Sequence, residues 1–248
     1  QMIPKVIHYC WFGGNPLPEF AVKCIDSWRK YMPDYEIKEW NESNFDVNII
    51  PYTKEAYEAK KYAFVSDYAR FWILYKYGGV YFDTDVEVIR PLDEIINRGA
   101  FMGCEIDGQD PNYGDIAVAP GLGLAVEAGH EVYKAILEKY ANHHFLNADG
   151  SYNTTYAVVK LTTDILKSFG MENIKGIQSV AGIYIYPQCY FNPFDNATGR
   201  LNKTSDTYTI HWFSKTWMKV NPVRQCIARI FHRVFGVNFT SKLRKLFK

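Results

Sequence analysis

Leu74-Tyr75-Lys76-Tyr77-Gly78-Gly79-Val80-Tyr81-Phe82-Asp83-Thr84-Asp85 carries three structural signals in succession. Its first residues close a run from Lys54 to Tyr77 that is free of Gly and Pro and rich in Ala, Lys, Glu and aromatics, which predicts one helix. Gly78-Gly79 stops that helix. Val80-Tyr81-Phe82 then reads as a short apolar strand that delivers Asp83 and Asp85, and Val86-Glu87-Val88-Ile89 as its alternating continuation. Two carboxylates one residue apart can reach a single hard cation, and such a cation bridges the two phosphates of a nucleoside diphosphate. Beyond a buried strand they are expected at the carboxyl edge of a sheet, where α/β proteins place ligands.

Working outward, Lys5 to Phe12 reads as a buried first strand ended by Gly13-Gly14. Phe20 to Tyr31 reads as a helix and Tyr35 to Trp40 as a second strand. Further helices are predicted around His130 to Tyr140 and Thr154 to Phe169, with strands at Gly182 to Tyr186 and Thr207 to Trp212. Helices and strands interleave throughout, so the fold class is α/β with a mixed or mostly parallel sheet. Residues 1–220 read as one catalytic-type domain and 221–248 as a separate basic amphipathic tail.

Within the predicted helix, Asp67 and Arg70 share a face at i and i+3, beside Ser66. An exposed pair of this kind is worth only tenths of a kcal/mol. Here the neighbours are Phe64, Val65, Tyr68, Phe71, Trp72 and Leu74, so the helix is expected to be buried nearly all round, and its charges need partners. A sugar hydroxyl, a phosphate or each other would serve.

Tyr62 to Arg70, followed by Leu74 to Asp85, resembles the core signature of family 32 glycosyltransferases. That group includes yeast-type initiating mannosyltransferases and bacterial capsular polysaccharide enzymes, and the large clostridial glucosylating toxins share the pattern more distantly. Ile3 to Gly13 is similar to the family's first strand, and His211-Trp212-Phe213-Ser214-Lys215-Thr216-Trp217 to its closing segment. The resemblance implies a GT-A type, Rossmann-like nucleotide-sugar transferase fold with a mixed central sheet. It also implies dependence on Mn2+ or Mg2+ and retention of anomeric configuration. By position, Trp11 would stack on the base with Asn41 near it, and Ser66 would contact the nucleoside. Asp67 and Arg70 would hold the donor sugar. Asp85 would ligate the metal, Asp83 would touch ribose, sugar or metal, and His211 would be a further ligand. Ser214 would join the donor site and Trp217 would cover the diphosphate. Tyr81 either lines the donor site or simply alternates into the core. The expected donor is a nucleotide-sugar, a UDP-sugar in first place through Trp11, and the acceptor a saccharide or lipid-linked saccharide of surface-glycan synthesis. A non-catalytic sugar-binding module and a haloacid-dehalogenase-like phosphatase are the alternatives.

Aromatics make up 17% of the chain, which suits sugar-stacking clefts and ordinary cores alike. The five cysteines are odd in number, scattered and without a CxxC pair, which points away from a disulfide framework and toward a reducing, cytoplasmic compartment. The net charge of +1 conceals a division: from Thr207 onward there are nine Lys/Arg and no acid, leaving −8 for the rest. In the tail, Ile227, Ile230, Phe231, Val234 and Phe235 form an apolar stripe with Arg224, Arg229 and Arg233 off it, and Leu243, Leu246 and Phe247 repeat the pattern. Such a segment suits an anionic membrane surface, here the inner face of a bacterial cell membrane, and equally a terminal helix packed on the body. It does not suit nucleic acid, because the aromatics lie on the stripe and not among the charges.

Overall fold

The structure is a computed structural model that describes residues 2–153, 155, 157–214 and 221–238. Strand β1 (Val6–Cys10) leads through helix α1 (Glu19–Tyr31) to β2 (Glu36–Trp40), which pairs beside it in parallel. Helices α2 (Pro51–Glu58) and α3 (Tyr62–Tyr77) then return the chain to β3 (Gly79–Tyr81), on the other side of β1 and again parallel. Next come β4 (Val86–Val88), α4 (Asp93–Arg98), β5 (Phe101–Ile106), β6 (Ala117–Val118) and β7 (Leu124–Val126). Helices α5 (Glu131–Ala141) and α6 (Val158–Ser168) precede the pair β8 (Gln178–Val180) and β9 (Ile183–Tyr186). The described chain ends with α7 (Gln188–Phe191), β10 (Phe194–Asp195), β11 (Arg200–Leu201), β12 (Thr209–His211) and α8 (Pro222–Phe235).

The central sheet runs β2-β1-β3-β7-β5-β9-β8, with β6 paired to β5. β7 is antiparallel to both its neighbours while β5 and β9 are parallel, so the sheet is mixed. Alternation along the strands feeds two cores. Ile7, Val80 and Phe82 pack with Trp28 of α1 on one face. Tyr81 joins Val65, Phe71 and Leu74 of α3 with Tyr133 and Ile136 of α5 on the other.

The Gly78-Gly79 stop is enforced sterically. Gly78 caps α3 at φ 64°, and a Cβ there would lie 2.8 Å from the Ala128 amide nitrogen. A Cβ on Gly79, at φ 111°, would lie 2.8 Å from the Val6 carbonyl oxygen. Only glycine lets β3 turn this sharply and lie this close to β1.

Two expectations are corrected. The run from Lys54 to Tyr77 is two helices, broken at Lys60, which takes a left-handed φ of 56°. Glu55 of α2 accepts the Phe145 and Leu146 amides at 2.8 and 3.0 Å, a tertiary tie invisible in composition. Second, Val86–Val88 does not continue the central sheet. A turn closed by the Val86 amide donating to the Asp83 carbonyl (3.1 Å) lifts β4 away, and it pairs antiparallel with β12. No helix among the described residues is long and apolar enough to cross a membrane, and all five cysteines are free thiols.

Candidate active site

The displaced β4 assembles the site. Because β12 pairs with it, His211 sits opposite Val86 and the Trp212 amide donates to the Asp85 carbonyl at 3.1 Å. Trp212 Nε1 adds a bond to the Glu87 carboxylate at 2.9 Å. A C-terminal histidine is thereby fixed against a motif more than a hundred residues earlier.

The carboxylates are divided in their duties. Asp83 Oδ1 accepts from Arg70 Nη2 at 2.9 Å, while Oδ2 lies 4.0 Å from His211 Nε2. Asp85 Oδ2 accepts from the amide (2.9 Å) and hydroxyl (3.2 Å) of Ser214, while Oδ1 lies 3.1 Å from His211 Nε2. Each acid thus has one oxygen tied to the protein and one turned toward the imidazole. Candidate ligand atoms of Asp83, Asp85 and His211 all lie within 4.8 Å of one another.

Opposite them runs the backbone of Gly121, where a Cβ would fall 2.5 Å from Asp83 Oδ2 and 3.8 Å from His211 Nε2. Glycine here keeps the acidic corner open. Two carboxylates and an imidazole around that opening fit a divalent cation. The His211 ring is oriented by Phe213, packed edge-on with centroids 4.2 Å apart.

Charge explains how the corner is held. Arg70, 4% exposed, is bracketed by Asp83 and by Asp67, whose Oδ1 is 3.1 Å from Nη1. Its guanidinium stands 5.2 Å from the Tyr81 ring centroid. Burial pushes the Asp67 carboxyl up to about 6 against the pull of Arg70, with the Asp83 charge adding to the rise. Burial likewise raises Asp83, Arg70 opposing and Asp85 adding. Burial would raise Asp85 too, but the charge and hydrogen bond of His211 and the two Ser214 donors outweigh it and hold it below the usual carboxylate range. Burial works to lower His211, yet Asp85, Asp83 and Glu105 together hold it above the ordinary imidazole value.

These groups line a cleft of about 470 Å3. Of the residues singled out by sequence, Trp11, Ser66, Asp67, Arg70, Tyr81, Asp83, Asp85, His211 and Ser214 all line it. Trp11 is anchored by its Nε1, which donates to the Asn15 carbonyl at 2.6 Å, and Ser66 Oγ donates to the Tyr62 carbonyl at 3.2 Å. Asn41 does not line the cleft. Its Nδ2 is spent on Glu39 (2.8 Å) and its Oδ1 on the Ser43 amide and hydroxyl, within its own turn. Trp217 lies outside the described residues.

Of the acids at positions 105, 107, 110 and 115, only Glu105 lines the cleft, its carboxyl raised by burial against the pull of His211. Asp107 accepts the Gln188 amide at 2.7 Å, Asp110 caps its own loop, and Asp115 pairs with Lys167 and Asn173. Gly121 was not legible as a site residue, because only the fold brings it against Asp83.

The sugar-binding region of DXD-motif glycosyltransferases matches residues 18–102, which include Asp83 and Asp85. The chain carries the DXD glycosyltransferase region. Its mixed sheet and flanking helices are of the GT-A type, a fold shared with the solved PaToxG glycosyltransferase at a TM-score of 0.50 and 18% identity, over 67% of this chain and 69% of that one. An uncharacterized glycosyltransferase of Acanthamoeba polyphaga mimivirus is 26% identical over 77% of this chain and 76% of its own. Inositol phosphoceramide mannosyltransferase 3 of Schizosaccharomyces pombe is 36% identical over 104 residues, 40% of this chain and 29% of the yeast protein. The chain thus spans less than a third of that relative's length.

Proposed function

We propose that the chain is a metal-dependent, retaining glycosyltransferase that moves a hexosyl group from a nucleotide diphosphate sugar to a saccharide or lipid-linked saccharide acceptor. A UDP-sugar is the favoured donor. Its setting is capsular, exopolysaccharide or other surface-glycan synthesis at the inner face of a bacterial membrane. The observation that carries this reading is the convergence of Asp83, Asp85 and His211 beside Gly121, in one cleft with Arg70 and Trp11.

Asp83 Oδ2, Asp85 Oδ1 and His211 Nε2 would hold Mn2+ or Mg2+, whose charge, when bound, stabilises the departing diphosphate. The protein's own groups do the rest. Trp11 offers a flat face for the base, and Ser66 a hydroxyl for the nucleoside. Asp67 and Arg70 orient the donor sugar, with Arg70 held by two carboxylates so that its position costs little reorganisation during transfer. Transfer breaks the bond between the anomeric carbon and the diphosphate oxygen and forms one to the acceptor oxygen. On the front face, the departing diphosphate oxygen takes the acceptor proton, so no dedicated base is needed.

A panel of UDP- and GDP-sugars is the test. Mannosyl donors belong on it because the fission-yeast relative is named a mannosyltransferase. One donor should raise the melting temperature only with Mn2+, release nucleoside diphosphate, and yield product of the donor's anomeric configuration. Absence of both stabilisation and release across the panel would refute the enzyme reading; stabilisation without release would identify a binding module.

A further inference from the structure

The orientation of helix α8 is opposite to that of an ordinary terminal helix. It has firm ends: Asn221 Oδ1 accepts the Val223 and Arg224 amides at 3.0 and 3.2 Å, Pro222 opens the first turn, and Gly236 ends the last at φ 80°. The face that meets the body is polar. Arg229 Nε donates to the Asn196 carbonyl (3.3 Å), Arg233 Nε to the Thr198 carbonyl (2.7 Å), and His232 Nδ1 meets the Ala197 carbonyl (3.1 Å). Gly199 lets this face close, since a Cβ there would lie 2.9 Å from Arg229 Cδ.

At 100° per residue the apolar stripe falls on the far side of the helix from these anchors. Ile227 is 62%, Ile230 54% and Val234 66% exposed, and Val223 is also exposed. A helix stabilised by packing on its domain would do the reverse, with its stripe inward and its arginines in water.

We propose that α8 is a membrane-docking helix, fixed to the domain by Arg229, His232 and Arg233 and presenting Val223, Ile227, Ile230 and Val234 to an anionic bilayer surface. Charge identifies the occupant. Residues 207–248 carry nine Lys/Arg and no acid while the rest of the chain is −8, so the C-terminal stretch of sequence favours a negatively charged partner. Each Lys or Arg near an anionic surface strengthens binding about fivefold. An apolar stripe of this kind enters the boundary between headgroups and acyl chains. The docking stands apart from the transfer reaction. Only its corollary, that the acceptor is lipid-linked and reached at that surface, rests on the proposed function.

The test is co-sedimentation of the full chain with phosphatidylcholine vesicles with and without phosphatidylglycerol, which needs no turnover. The wild type should bind the anionic vesicles and release them in high salt. Ile227→Asp with Ile230→Asp should reduce partitioning about tenfold or more at unchanged melting temperature, since both side chains are already exposed. Equal sedimentation of wild type and double variant, or no binding by the wild type, would overturn the proposal. So would a vesicle-independent dimer in light scattering that the double variant dissolves, which would make a second copy the partner of the stripe.

Discussion

Replacing Gly121 with alanine places one methyl group at the acidic corner. Its backbone is outside the left-handed region, so alanine is tolerated conformationally and the effect is confined to what the methyl meets. That is Asp83 Oδ2, 2.5 Å away where ordinary contact begins at 3.4 Å. The carboxylate must retreat by about 0.9 Å, several times the roughly 0.2 Å tolerance of a ligand distance. It cannot simply rotate, because its other oxygen is held by the buried Arg70 at 2.9 Å. Displacing an outer partner of a metal ligand costs about 10–100-fold in affinity, and moving a ligand itself should cost at least as much. Titration calorimetry with Mn2+, with and without nucleoside diphosphate, measures the loss. The melting temperature without metal should shift by only a few degrees, about 1 kcal/mol. Unchanged Mn2+ affinity in Gly121→Ala would refute the idea that Gly121 opens a metal site at Asp83.

Other consequences follow from the same geometry. In front-face transfer Glu105 is not a nucleophile, so Glu105→Gln should retain turnover to within about tenfold; a loss beyond about 1,000-fold, rescued by azide, would instead indicate double displacement. His211 is held above its ordinary imidazole value and must be neutral to ligate, so Mn2+ affinity should weaken as pH falls through the imidazole range; a pH-independent affinity would contradict this. His8 is lowered to about 4 by burial, despite the Gly78 carbonyl, and accepts from Trp40 Nε1. Its folded-state value lies below its unfolded one, so its contribution is complete at neutral pH and fades as pH drops through 6.5 toward 4. That slope is about 1.4 kcal/mol per pH unit, and urea melts of His8→Gln should show a shallower decline than wild type.

What the sequence could show depended on how local the determinant was. The Gly78-Gly79 stop, the strand before Asp83 and the burial of Asp67 and Arg70 follow from residues within one turn or one strand of each other. The break at Lys60 was hidden because no glycine or proline marks it, and the bonds from Glu55 to the amides at 145 and 146 join residues far apart in the chain. β4 has the alternation of a sheet strand, and only its pairing with β12 shows that it leaves the sheet. β5 to β7 escaped because strands of two to six residues give too little periodicity to stand out. Asn41 looked available until its amide was found bonded at both ends within its own turn. In α8 the amphipathic pattern was plain, but which face turned outward depended on the carbonyls of residues 196–198.

In the proposed function, Asp83, Asp85 and His211 hold the metal that makes a nucleotide-sugar reactive in this cleft. That role is tested most directly by nucleoside diphosphate release from the best-stabilising donor, measured with and without Mn2+ for wild type and Asp85→Asn. Asparagine keeps the shape of Asp85 and an oxygen for the two Ser214 donors but removes the ligand charge. Release that requires Mn2+ in the wild type and falls by about 100-fold or more in the variant is the expected result. Release that is independent of Mn2+, or equal in the two proteins, would contradict it.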